Sequence, residues 1–414
     1  MTKATATTTA GVRGSFWDPA KLPESTKFES TLVPCADGAT CQGTLAFCGG
    51  EKVAAMGMHP REYMPGNYMV PEFLNAGLAM YTQAPRSIGN DLRLEHESAL
   101  LEVAAGIRYL RNKGFEKVVL TGMSGGASLF SFYLQQANLA AEQRVAHTPA
   151  GKPTKLQQVE LPLPDGVVFI SPHPGQGILL MNSLDPSVVD ENDPMKTDES
   201  LNPFSPANGF KRPPESSNYS EEFVSRYRAA QYERVARIDE WAKASVKQRV
   251  AARKRFKESL DPNDMRISAH TPIITLWRTD ADLRCFDLSL EPTDRAYGSL
   301  WGANPFVSNY GSIGFARTCT PDSWLSTWSG ISSNARMAET AKGISQPTLV
   351  VRFDGDNSLF PSETQAIVDG IPATDLTYEV LPGNHHGRPV REGDPNGQDL
   401  AGDLITRWVR ERFA

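Results

Sequence analysis

The sequence predicts an α/β fold, with a mostly parallel central sheet flanked by helices and one large, mainly helical insertion. Three observations predict it. Short apolar runs alternate with amphipathic helical stretches from Phe28 to Ile170. A long stretch of different composition, residues 174–345, then interrupts the pattern. Alternation resumes from residue 346 to the end. The chain therefore divides into a flexible tail (1–27), a sheet domain (28–173 and 346–414) and an insertion (174–345).

The elements follow in order. "FESTLVP" and "TCQGTLAF" read as paired strands around the turn "CADGA". "KVAAMGMHP" is an apolar run ending in a loop, and "YMVPEFLNAG" a helix closed by Gly77. "LAMYTQAP" is a buried strand. In "LEHESALLEVAAGIRYLRNKG", Leu100, Val103, Ala104, Ile107 and Leu110 share one helical face, and Gly114 ends the helix. "EKVVLTG" is a buried strand, a helix follows from Ala127, and "DGVVFIS" is the next strand. The insertion opens with loop-rich sequence. Ser220 then caps a helical region reaching Leu260, with Glu221 and Glu222 in its first turn. Phe223, Tyr227, Ala230, Val235, Ile238 and Trp241 form its apolar stripe. One helix of that length would run to roughly 60 Å, so two helices are expected. Its basic run, Lys243 to Lys257, reads as a solvated face. "TPIITLW" is a candidate strand, and "RTDADLR" a salt-bridged turn. After the insertion, "QPTLVVRF" and "TYEVLPG" are strands around the helix "PSETQAIVDGI". The last helix buries Leu404, Ile405, Trp408 and Val409.

The totals narrow the function class. The chain has 414 residues, a net charge of −6 and five cysteines without close metal-like spacing. This composition gives no reason to expect nucleic acid or an anionic membrane as partner. Reduced thiols and a cytoplasmic location are expected, and no stretch is long and apolar enough to span a bilayer. Homo-oligomerisation stays open.

The chemistry concentrates in "VVLTGMSGG". A Gly-x-Ser-x-Gly turn between strand and helix strains the Ser124 backbone and lifts its hydroxyl clear of the sheet edge. The same pattern also serves as a plain packing turn. A phosphate loop is disfavoured because the Walker lysine is absent. A serine needs a base and an orienting acid to become a nucleophile.

With "PTLVVRFDGDNSLFP" and "LPGNHHGRP" following in that order, the chain resembles the α/β-hydrolase superfamily over most of residues 28–171 and 346–413. The resemblance implies nucleophile, acid and base in chain order. Ser124 would be the nucleophile. Asp356 would be the acid, since Gly355 precedes it and Pro361 opens the next helix; Asp354 is the alternative. "SPHPGQ", where some relatives carry the acid, has no carboxylate. The base would be His385 or His386, and the sequence does not choose. Acyl transfer needs two N–H donors for the oxyanion. Gly125 would supply one. In "MHPRE" Pro60 has no N–H, so Arg61 would supply the other. His59, Arg86, Trp301 and Trp324 are candidates for substrate contact, although Arg86 and Asp91 also suit an ion pair and the tryptophans also suit an insertion core. The insertion would act as a lid. The implied activity is a serine hydrolase forming an acyl-enzyme from a small-molecule carboxylic ester with an apolar or aromatic part. It needs no cofactor and no metal. The same constellation serves thioesters, amides and carbon–carbon bonds beside a ketone, and a catalytically silent binding relative is the non-enzymatic alternative.

Overall fold

The computed structural model describes residues 17–312 and 314–413. Strand β1 (Lys27–Pro34) pairs antiparallel with β2 (Thr40–Phe47), as expected of a hairpin around "CADGA". The sheet continues with β3 (Val53–Met58), β4 (Ala79–Gln83), β5 (Lys117–Met123) and β6 (Gly166–Ile170). The insertion adds only a two-residue pair, β7 (Ile274–Thr275) with β8 (Thr318–Cys319). Strands β9 (Thr348–Phe353) and β10 (Leu376–Leu381) complete the main sheet. Its eight strands lie in the order β1-β2-β4-β3-β5-β6-β9-β10. Every pairing from β4 to β10 is parallel, and only β2 runs against the rest.

Helices cover both faces, so the inner strands are apolar on both sides. Helix α1 (Val70–Asn75) and the last helix, Gly397–Phe413, pack on one face with Val119, Val168 and Val351. Helices α2 (His96–Asn112) and α3 (Gly125–Asn138) pack on the other with Val118, Leu120 and Val167. The predicted faces hold: Leu100, Val103, Ala104, Ile107 and Leu110 are buried, as are Leu404, Ile405, Trp408 and Val409. Burial of each Leu, Ile or Val among them contributes roughly 1.5–3 kcal/mol.

Three sequence expectations need correction. The helical region of the insertion is one helix, α5 (Glu221–Ser259), capped by the Ser220 side chain. No Gly or Pro interrupts its 39 residues, so nothing breaks it before Leu260 turns left-handed and Pro262 opens α6 (Pro262–Ala269). Trp241 is not part of the buried stripe; it is exposed, because the stripe runs from Val235 and Ile238 to Ala242 and Ala252, one residue to the side of it. The insertion also rejoins the sheet early: Ala335, Met337, Ala341 and Ile344 pack in the core beneath α3.

Of the expected tail, residues 1–16 lie outside the described residues. From Trp17 the chain is docked rather than loose. Trp17 packs edge-on against Phe28, and Lys21 pairs with Asp399 and Glu72. Helix α4 (Gln176–Ser183) follows β6 directly and joins α5, Trp324 and Trp328 in the insertion's own core. Among the described residues no helix is long and apolar enough to cross a membrane.

Candidate active site

The elbow after β5 has the strained geometry the motif demands. Ser124 sits at φ 52, a left-handed value costly for a residue with a side chain. The turn survives because its flanks are glycines. A Cβ on Gly122 would lie 2.6 Å from Ala127 Cα, and one on Gly126 would lie 2.5 Å from the Met58 carbonyl oxygen. Strand, helix and the end of β3 therefore close on Ser124 from three sides. Gly125 opens α3, so its N–H has no acceptor inside the helix.

The acid and base loops leave neighbouring strands. Asp354 N–H donates to the Leu381 carbonyl and Gly355 N–H to the Gly383 carbonyl, both at 2.8 Å. This stitching sets Asp356 opposite His385. Asp356 Oδ2 lies 2.7 Å from His385 Nδ1, and both residues are buried. Asp356 Oδ1 accepts from the N–H groups of Ser358 and Leu359 at 2.7 and 3.0 Å. The carboxylate is thus held as an acceptor, which puts the imidazole proton on Nδ1 and frees Nε2 to take another. Asp354 pairs with Arg352 instead.

His386 has different surroundings. Its ring packs edge-on against Tyr68 and His385, at 5.5 and 5.1 Å between centroids. Burial, then the His385 charge, pushes its pKa down to about 3. The choice between the two histidines is therefore made by the loop. Gly383 and Gly387 take positive φ around the pair, and of the two rings His385 is the one that meets Asp356.

Ser124, His385 and His386 line one cavity of about 170 Å³. His59, Arg61, Tyr68, His173, Gln176 and Trp301 also line it. Of the side chains expected to meet substrate, His59 and Trp301 are there. Arg86 and Trp324 are not. Arg86 is held by Glu102 and Asp37, and it borders a separate groove of about 880 Å³ that contains none of these groups. Trp324 is fully buried in the insertion, its indole N–H donating to Asp239 at 2.7 Å. Both placements depend on partners distant in sequence.

Arg61 also departs from expectation. Its N–H is directed to His59 Nδ1 at 3.2 Å, and Glu62 N–H reaches the same nitrogen at 3.0 Å. That backbone donor is engaged locally rather than presented to the cavity. The Arg61 guanidinium pairs with Asp91 at 3.0 and 2.9 Å and lies over Trp328. His173 and Gln176 were not among the expected site residues. "SPHPGQ" carries the signal, because it repeats the His-Pro pair of "MHPRE" at the end of another strand.

No family model matches the chain, and no curated protein matches it. Among solved structures it is similar to DcsB in complex with its substrate analogue, at 14% identity, over 93% of this chain and 100% of that one, with a TM-score of 0.46. It is similar to the esterase domain of a Rhodothermus marinus protein at 7% identity, over 93% and 98%, with a TM-score of 0.43. For the Pyrococcus furiosus esterase Pf2001 the values are 10%, 96% and 96%, and 0.42. Likeness at this level carries no argument about chemistry, and the fold rests on the chain's own strand order and elbow. With one reversed strand in an otherwise parallel eight-stranded sheet, and a strained serine between β5 and α3, the chain has the α/β-hydrolase fold.

Proposed function

We propose that the protein is a serine hydrolase acting on a carboxylic ester whose acyl part is small and apolar or aromatic. One observation carries the reading. A serine strained at φ 52 shares a cavity with a histidine whose Nδ1 is held 2.7 Å from a buried carboxylate. Ser124 Oγ forms a bond to the ester carbonyl carbon while its proton passes to His385 Nε2. The carbonyl π pair moves onto oxygen. On collapse the bond to the alkoxide breaks, and that oxygen takes the proton from His385. Water repeats the sequence on the acyl-enzyme and releases the acid. Asp356 stays ionised, orients the ring and balances its transient charge.

The cavity supports the substrate class. Met64, Tyr68, Met123, Leu300, Trp301 and Phe315 supply an apolar wall, and about 170 Å³ suits a short acyl group rather than a long chain. Trp301 and Phe315, edge-on at 5.1 Å, come from the insertion and line the cavity, which supports a lid role for that segment. Treatment with a fluorophosphonate followed by peptide mapping tests the proposal. The expected adduct is on Ser124. Absence of an adduct, or one on the fully buried Ser128, overturns it.

A further inference from the structure

The strands on either side of β5 end in the same dipeptide. β3 runs into His59-Pro60 and β6 into His173-Pro174. Proline has no N–H, so the first backbone donor after each histidine is two residues on. In both turns that donor caps the ring. Arg61 N–H reaches His59 Nδ1, and Gly175 N–H reaches His173 Nδ1, each at 3.2 Å. An Nδ1 that accepts leaves the proton of a neutral imidazole on Nε2. Both rings stay neutral. Burial, then the charge of His173, holds His59 well below its usual pKa. Burial, then the charge of His385, brings His173 to about 3.

Both Nε2–H groups converge on the residue after Ser124. A Cβ built on Gly125 would lie 2.6 Å from His59 Nε2, 2.8 Å from His173 Nε2 and 2.6 Å from Gln176 Nε2. No two of these nitrogens are then more than about 5.4 Å apart, within reach of one shared oxygen at ordinary hydrogen-bond lengths. All three belong to buried side chains that line the Ser124 cavity, and nothing in a packing turn calls for three N–H donors gathered around a glycine there.

Resting on the serine-hydrolase reading, we infer that the oxyanion hole is built from side chains: His59 Nε2–H and His173 Nε2–H, assisted by the Gln176 amide, join Gly125 N–H around the developing charge. This replaces the loop backbone donor that Arg61 directs at His59. It explains why the residue after the nucleophile is glycine, because any side chain there would fill the space the donors share. Neutral donors are well matched to this role, because they stabilise the oxyanion without titrating against the base.

The test uses the full-length protein, p-nitrophenyl acetate as substrate and a trifluoromethyl ketone that forms a tetrahedral adduct with the serine. His59→Phe and His173→Phe keep a ring and remove the donor. Each should lower kcat about 10²- to 10³-fold, the loss typical of one oxyanion donor. KM should change by less than about threefold, and affinity for the ketone should fall with kcat, because the interaction is made only in the transition state. His59→Gln and His173→Gln return an N–H near the Nε2 position and should recover at least about tenfold over the Phe variants; they also serve if a Phe variant fails to fold. A raised KM at unchanged kcat, or equal loss in the Gln and Phe variants, overturns the inference. If wild-type protein labels at Ser124 and turns over while the variants keep kcat, this inference fails and the hydrolase reading stands. Wild-type protein that neither labels nor turns over overturns both.

Discussion

Gly125→Ala should separate activity from stability. The substitution adds one methyl group at the start of α3, and Gly125 is not among the glycines at positive φ, so alanine fits the backbone. The difficulty is local. The new Cβ would stand 2.6 Å from His59 Nε2 and Gln176 Nε2 and 2.8 Å from His173 Nε2, and each must retreat by about 0.6–0.8 Å to regain 3.4 Å. The Gln176 side chain can swing. The two imidazoles cannot move freely, because backbone N–H groups hold their Nδ1 atoms. Displacement by most of an ångström disables positioned donors, so kcat should fall at least about 100-fold. Stability should fall by no more than about 1–3 kcal/mol, the usual strain of an extra methyl in a packed site, partly offset by the roughly 0.4–1 kcal/mol that Gly to Ala contributes through the unfolded chain, so the variant stays folded under assay conditions. Steady-state kinetics on p-nitrophenyl acetate and a thermal melt read both effects. A variant with wild-type kcat would refute the idea that the space over Gly125 is reserved for chemistry. A lower Tm with proportionate loss of active fraction would mean the contact is packing.

Three other outcomes are expected. His385→Ala should lose at least about a thousandfold in kcat, as for removal of a triad member, while His386→Ala loses less than about tenfold; similar losses in the two would refute the assignment by ring geometry. His96 is fully buried, and neither ring nitrogen finds a partner among the described residues. Burial lowers its pKa from 6.5 to about 4, so it favours folding in the neutral form; that stability is complete above pH 6.5 and lost as pH falls toward 4. At pH 5 the loss is about 2 kcal/mol, so urea unfolding should find His96→Leu gaining that much relative to wild type between pH 7.5 and pH 5, and a pH-independent difference would refute it. Trp301→Ala should slow a bulky aryl ester more than a short acetyl ester, because only the larger substrate reaches that wall; equal slowing, with the melt unchanged, would make Trp301 scaffold.

What the sequence determined by itself was local. Alternating apolar runs dictated strands and helices because burial period depends only on neighbouring residues. The elbow was legible for the same reason, since five consecutive residues must fit one crowded turn. The chain order of the candidates, Ser124, then Asp356, then His385 or His386, was legible because each follows a recognisable strand. The rest depended on contacts between distant segments. His385 and His386 are adjacent and chemically identical, and only the loop path set by Gly383 and Gly387 gives one of them Asp356. Arg86 and Trp324 read as candidates for the cavity but are held elsewhere by Glu102, Asp37 and Asp239. Arg61 failed as a donor through a bond to His59, two residues away, that composition does not advertise. His173 and Gln176 escaped notice because their role exists only where β3 and β6 flank β5. Sheet order, which no local pattern encodes, brings two His-Pro turns more than a hundred residues apart onto the same glycine.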